Sequence, residues 1–368
     1  MWRGSLVWPG VPLAILSAAL FGASMPFAKL LLGDGGISPW LLAGLLYLGS
    51  GLGLGLVQLA RAGSVGMWEE APLRRGDFPW LALIVLSGGL VAPVLLMVGL
   101  AATAASTASL LLNLEGLATM AIAWLMFKEN VDHRLLAGAG AILAGAVLLS
   151  WQGGPASTGF GGLGWGAAAI AGACLAWGID NNLTRRLSAA DPVQIAMIKG
   201  LAAGAVNLVL ASIAGARLPS GAVIGGAALI GFIGYGISLV MFVVALRHLG
   251  AARTAAYFST APFIGAVLAI AMLGEPVTLR LAVAGALMAI GLYLHLAERH
   301  QHEHAHEALD HEHRHVHDAH HQHPHEPEDP AGEPHSHPHR HLPLVHAHPH
   351  YPDLHHRHAH RQGHTHAH

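Results

Sequence analysis

The chain has 368 residues, of which 53% are hydrophobic and 11% charged, whereas soluble domains carry about a quarter charged residues. Residues 300–368 hold 26 of the 29 histidines and are net −6 with histidine neutral, while residues 1–299 are net +4. This distribution excludes a single soluble globular domain and describes an apolar body joined near position 298 to a polar, His-dense tail.

The first apolar run begins after "MWRGSLVWPG" and continues to Leu32, past any cleavage position. It therefore reads as a retained span and not as a signal peptide. A membrane span needs about 20 mostly apolar residues. In chain order the candidates are Val11–Leu32, Pro39–Ala60, Phe78–Ala101, Ala105–Phe127 and His133–Trp151. A glycine-rich, uncharged connection, "QGGPASTGFGG", leads to Gly164–Leu187, Pro192–Ala214, Gly221–Leu246, Ala251–Leu273 and Leu279–Leu296. Gly51 with Gly55, and Gly200 with Gly204, have the small-xxx-small spacing that lets helices approach closely, either inside one bundle or in a homodimer.

Lys and Arg placement orients these ten segments. With the N-terminus in the cytoplasm, the inside ends receive Arg3, Arg61, Arg74, Arg75, Lys128, Arg134, Arg185, Arg186, Arg247, Arg253 and Arg299. The outside ends receive only Lys29, Arg217 and Arg280. Both termini, and with them the histidine tail, are expected in the cytoplasm of a multi-pass inner-membrane protein. The lipid bilayer is its expected partner; nucleic acid is not.

The two sets of five also resemble each other. "SLLLNLEGLATMAIAWLMFKENVDHRLLAGAGAILAGAVLL" lies over "AAYFSTAPFIGAVLAIAMLGEPVTLRLAVAGALMAIGLYL" without gaps, which pairs Glu129 with Glu275 and Arg134 with Arg280, each 146 residues apart. At the start of each half, Phe21-Gly22 falls on Trp177-Gly178 and Lys29 on Arg185. Five helices per repeat force the second copy to run inverted, the architecture of alternating-access carriers. The expected fold is thus an all-α integral membrane protein of ten helices in two inverted five-helix repeats, residues 1–152 and 153–298, followed by a disordered His-rich tail over 299–368.

On the junctions "AIAWLMFKENVDHRLLAGAGAILAG" and "VLAIAMLGEPVTLRLAVAGALMAIG", residues 1–298 resemble a ten-helix drug/metabolite transporter of the EamA type. In each junction an apolar helix ends at a glutamate and a small-residue-rich helix follows. The resemblance implies a carrier of small solutes such as amino acids, nucleotide sugars or drugs. It supplies no site residues position by position, and the histidine tail departs from the usual pattern.

Three ionisable groups lie well inside the expected spans: Glu115, Asp180 and Lys199. Such residues face a bundle interior or water and mark function by default. Asp180 and Lys199 sit about two turns from the same membrane face, roughly 10 Å deep at 1.5 Å per residue, on consecutive segments joined by "SAADP". An ion pair between them, with Asn181 or Asn182 completing the hydrogen bonding, follows from that depth. It reads either as a structural pair fixing helix register or as part of a substrate or proton site; a positive Lys199 favours an anionic or zwitterionic substrate. Glu115 has Thr119 on the same face and no basic partner at its depth in the first half, which reads either as a proton carrier or as a protonated side chain bonded to a neighbouring backbone. Asn113, Gln58 and Asn207 read as interhelical hydrogen bonders, and Trp124, Trp151 and Trp165 as interface anchors. Cys174, the only cysteine, excludes a disulfide within the chain and reads as a small buried hydrophobe.

The tail alternates H-x-H with interrupting prolines and lacks apolar runs, so it is expected to have no fixed structure without a ligand. His302, His304, His306, His311, His313, His315 and His317 are candidate ligands for Zn²⁺, Ni²⁺, Co²⁺ or Cu²⁺. The two H-E-x-x-H matches in this stretch follow from its composition and carry no protease reading. No cofactor is required. No phosphate-binding G-x-x-x-x-G-K-[ST] loop is present and no nucleophile–base set is evident, which leaves a gradient-driven carrier and not an enzyme. The leading expectation is export of a small organic metabolite or drug by proton antiport, with a metal-responsive tail. The alternatives are a Ni²⁺, Co²⁺ or Zn²⁺ exporter that collects metal on the tail, and a membrane-anchored metal store.

Overall fold

A computed structural model describes residues 10–33, 37–62, 73–127, 133–151, 164–188, 190–296, 301–306, 309–315, 335–341 and 344–349. Each of the ten apolar segments is helical across these residues. They form α1 (Gly10–Leu32), α2 (Pro39–Ala62), α3 (Phe78–Ile84), α4 (Ala92–Ala101), α5 (Ala105–Leu111), α6 (Asn113–Phe127), α7 (His133–Ser150) and α8 (Trp165–Leu187). The second half continues with α9 (Pro192–Ile213), α10 (Gly221–Ile230), α11 (Ser238–Phe258), α12 (Ala261–Leu273) and α13 (Leu279–Leu296). Seven of these runs are long and apolar enough to cross a membrane, and Leu136–Ser150 and Leu279–His295 are shorter apolar helices. The remaining helix, α8, spans 23 residues but carries Asp180, Asn181, Asn182, Arg185 and Arg186. Large apolar side chains such as Leu56, Leu59, Leu125, Val267 and Leu279 are exposed on the outside of the body, as a bilayer solvent requires.

Helix ends follow from local sequence. Pro192 occupies the first turn of α9, where its missing N–H costs nothing, and the Asp191 carboxylate accepts from the Val193 N–H at 2.9 Å. Asp191 also meets Arg61, from the last turn of α2, at 3.4 Å. Helix α12 stops at Gly274, whose φ of 64° is the left-handed conformation glycine tolerates best.

The halves interlock. Helix α2 packs along α9, α7 along α13, α1 along α12 and α6 along α8, so each of these pairs joins one half to the other. The α2–α9 seam is closed by glycine: a Cβ on Gly51 would collide with the backbone of Leu201, and one on Gly200 would come within 2.6 Å of the Gly51 nitrogen. Gly204 meets Leu48 in the same way, whereas Gly55 has open space to 3.9 Å. Gly138 and Gly291 close the α7–α13 seam. Gly51, Gly200 and Gly204 are thus spent inside one bundle. The largest buried cluster, including Met25, Leu46, Leu96, Leu111, Ile170 and Met288, runs through both halves.

The described parts of the tail form two antiparallel strand pairs. β1 (Gln301–His306) pairs antiparallel with β4 (Leu344–Pro349), and β2 (Leu309–His315) with β3 (His335–His341). The H-x-H alternation has the period of two that a strand requires. The registers set His302 opposite His348, His304 opposite His346, and His311, His313 and His315 opposite His339, His337 and His335. His317 and Glu129 lie outside the described residues.

Candidate functional site

Two of the apolar runs contain π-helical segments, at Val85–Val91 and Gly231–Ile237. Their start and end positions differ by 146, the offset that pairs Glu129 with Glu275 in the sequence. A second irregularity recurs at nearly the same offset. The fourth run breaks at Leu112, between α5 and α6, and the ninth breaks at Ser259–Thr260, between α11 and α12. Polar side chains meet carbonyls at both breaks: Asn113 Nδ2 donates to Leu110 O at 2.9 Å, Ser259 Oγ to Ala255 O at 2.8 Å and Thr260 Oγ1 to Tyr257 O at 2.7 Å. Asn113 therefore serves its own break, although its amide also reaches Met288 Sδ across the bundle at 3.7 Å.

The two breaks face one cavity of about 20 Å³, room for about one water molecule. Leu112, Glu115 and Gly116 line it from the first break, and Ala255, Phe258, Ser259, Ala261 and Pro262 from the second. Phe21 of α1, Asn181 of α8 and Phe242 of α11 complete the wall. Phe21 packs on Phe258 with centroids 5.4 Å apart, and Phe258 on Phe242 at 4.9 Å. Phe21 also meets Trp177 and Tyr235 edge-on, so the rings continue behind the cavity.

Glu115 lies in the first turn of α6, where the helix dipole favours a carboxylate. Its partner comes from the other half: Asn181 Nδ2 donates to Glu115 Oε1 at 2.9 Å and to Thr119 Oγ1 at 3.2 Å. The expected sharing of one face by Glu115 and Thr119 is realised through this amide.

Behind the cavity, Lys199 Nζ donates to Asp180 Oδ2 at 2.5 Å, with both side chains buried. Thr184, one turn along, supplies the additional hydrogen bond to Asp180 at 3.3 Å. The sequence expectation assigned that part to Asn181 or Asn182, yet neither takes it. Successive residues of a helix point about 100° apart, so Asn181 turns to Glu115. Asn182 donates to Thr119 O and Gly178 O, tying α8 to α6. Of the five sequence candidates, Glu115 and Asn181 line the cavity, Asp180 and Lys199 form the adjoining pair, and Asn182 is a helix-to-helix tie.

Sequence reasoning missed the π segment that closes over this pair. A Cβ on Gly88 would overlap the Asp180 carboxylate, and the Gly88 carbonyl accepts from Tyr47 Oη at 2.6 Å and Trp177 Nε1 at 3.2 Å. Asn207 donates to Gly89 O and accepts from Trp40 Nε1, each at 3.1 Å, as expected of an interhelical bonder. The 146-residue offset pairs Val85–Val91 with Gly231–Ile237, but no sequence signal marks either as π-helical.

A brace also missed in the sequence lies at one end of the bundle, where Lys29 ties α1 to the end of α4 and Glu275 joins the second half to the first. Lys29 Nζ donates to Leu100 O at 2.6 Å and Thr103 O at 2.9 Å, satisfying carbonyls at the end of α4. Glu275 accepts from the Ala105 and Ser106 N–H groups at 2.7 and 2.8 Å, capping α5. Among the described residues no group of three or more His, Cys, Asp or Glu side chains is placed to hold a metal ion.

This architecture has relatives. A crystal structure of a protein aligns with a TM-score of 0.57 at 20% identity, covering 77% of this chain and 94% of that one, a likeness of fold. An uncharacterized transporter of Methanothermobacter thermautotrophicus is 29% identical over 229 residues, which is 61% of this chain and 66% of the relative's length. The EamA-like transporter family matches twice, over residues 8–151 and 164–297. Those two matches bracket the paired π segments and the paired breaks, and the chain belongs to the EamA-like transporter family.

Proposed function

We propose that the protein is a secondary carrier that exports a small organic solute in exchange for protons through the cavity between the two helix breaks. Ten crossings run as two inverted five-helix repeats with both termini in the cytoplasm, and Glu115 carries the exchanged proton. The observation that carries this reading is the convergence of two matching breaks on one cavity containing a buried carboxylate. Discontinuous helices meeting at the midplane are how repeat-built carriers expose backbone and charge to a solute. The equal offset of the two π segments and the seams joining the halves support the repeat. The Asp180–Lys199 pair positions α8 and α9 behind the cavity. Alternating access would break the Lys29 and Glu275 brace on the outside when the cavity opens there.

The tail is a cytoplasmic binder of divalent ions such as Ni²⁺, Co²⁺, Zn²⁺ or Cu²⁺. Support comes from the five register positions where histidine faces histidine, since directly opposed residues lie about 5 Å apart at Cβ. A metal-exporting body finds less support. The described cavity wall offers one carboxylate, an amide and a hydroxyl among apolar side chains, and imidazole or thiolate ligands are what these metals favour.

The test is solute-evoked dissipation of an imposed pH gradient in proteoliposomes. The panel contains amino acids, amines, drugs, Ni²⁺, Co²⁺ and Zn²⁺, applied to the full-length chain and to a version ending at Arg299. Organic solutes are expected to collapse the gradient with either version. A response to metal ions alone, lost with the tail, would replace this reading with the metal exporter.

A further inference from the structure

We propose that the central cavity selects an organic monocation, an amine or quaternary ammonium on an apolar body, with Glu115 as its counter-charge and Phe21, Phe242 and Phe258 as its walls. The inference rests on the reading of this cavity as the transport site and adds the charge class of the solute.

Among the described residues, Glu115, Asp180 and Lys199 are the charged groups at or beside the cavity. Lys199 and Asp180 meet at 2.5 Å with both side chains buried, so they form a neutral pair, and neither lines the cavity. Among the described residues, Glu115 is the one charged side chain in the wall, and its partner, Asn181, is neutral. A solute entering this space meets a single carboxylate in a low-dielectric surrounding, where Coulomb attraction for a cation and repulsion of an anion are both strengthened. On this reading Lys199, already paired with Asp180, no longer favours an anion.

Ring chemistry points the same way. Three phenyl rings line the wall, with Phe258 within 5.4 Å of Phe21 and 4.9 Å of Phe242. Aromatic faces attract ammonium groups, most strongly where water is excluded. Most of the remaining wall, including Leu112 and Pro262, is apolar and suits the solute's body. A dication would instead demand several oxygen ligands. The cavity has room for about one water molecule, so a solute of this class requires it to widen, with Asn181 released from the Glu115 carboxylate.

The experiment measures binding of three solutes matched in shape, benzyltrimethylammonium, phenylacetate and phenylalanine, to the full-length protein in detergent by isothermal titration. The expected order is benzyltrimethylammonium tightest, by at least about tenfold over phenylacetate. Glu115→Gln is expected to erase that preference, Glu115→Asp to retain it, and Phe242→Ala to weaken the cation alone. The wild-type order stands as a test even if a variant does not fold. Tighter binding of phenylacetate or phenylalanine, abolished by Phe242→Ala, would overturn the charge class while keeping the cavity as the site. No binding of any of the three, or binding indifferent to Glu115 and Phe242, would overturn both.

Discussion

Lys199 and Asp180 meet at 2.5 Å inside the bundle, one turn from Thr184 and directly beneath Gly88. Neither partner has water to fall back on. Removing one member of such a pair strands the other charge, at a cost of about 3–5 kcal/mol in soluble proteins. Asp180→Asn and Lys199→Met are each expected to lower the detergent melting temperature and the yield of monodisperse protein. The double variant is expected to recover most of the loss, because it removes both charges together. Melting curves of the three variants check this.

Gly88 has a more local role. A methyl group there would run into the Asp180 carboxylate, whereas a Cβ on Gly140 in α7 would meet nothing within 4 Å. Gly88→Ala is expected to lower the melting temperature by several degrees. Gly140→Ala should be neutral or stabilising by up to about 1 kcal/mol, the usual helix preference for alanine over glycine.

The Glu275 cap on Ala105 and Ser106 should act as a latch under the proposed orientation. Ser106 is buried, so Ser106→Cys is expected to resist a membrane-impermeant maleimide added from outside. Adding Glu275→Gln, or Lys29→Met, should raise the labelling rate, measured by mass shift in intact cells. An unchanged rate in both would mean that the brace does not govern access.

The tail ladders make a prediction about non-additivity. If opposed histidines bind one ion together, replacing His302 and His304 with Ala should reduce the Ni²⁺ stoichiometry as much as replacing His346 and His348. The quadruple variant should lose little more than either double variant, the signature of coupled residues. Titration of full-length variants measures this.

Much of the helical layout was legible from apolar run length, since each of the ten segments is helical, but α11 runs unbroken from Ser238 to Phe258 across the expected boundary between the eighth and ninth, because that junction holds no proline to stop it. The Asp180–Lys199 pair was also legible, since two charges at equal depth on neighbouring helices have few other places to go. The destination of Asn181 was not: adjacent helix positions diverge by about 100°, and its partner Glu115 comes from a helix 66 residues earlier. The π segments and the breaks were hidden for a different reason. They replace one apolar helical turn with another and leave hydropathy unchanged, so only the structure reveals them. The aromatic wall escaped notice because Phe21, Phe242 and Phe258 look like ordinary core residues until the fold gathers them around a carboxylate.

The central claim is that the cavity carboxylate, and not the buried ion pair, couples solute to proton. The most direct measurement is solute-evoked proton movement in proteoliposomes for the wild type, Glu115→Gln and the Asp180→Asn/Lys199→Met double variant, each matched for amount and melting behaviour. The account predicts silence from Glu115→Gln and a retained signal from the double variant. Full proton movement in Glu115→Gln, with the signal lost in the double variant, would contradict it and move the coupling site to Asp180.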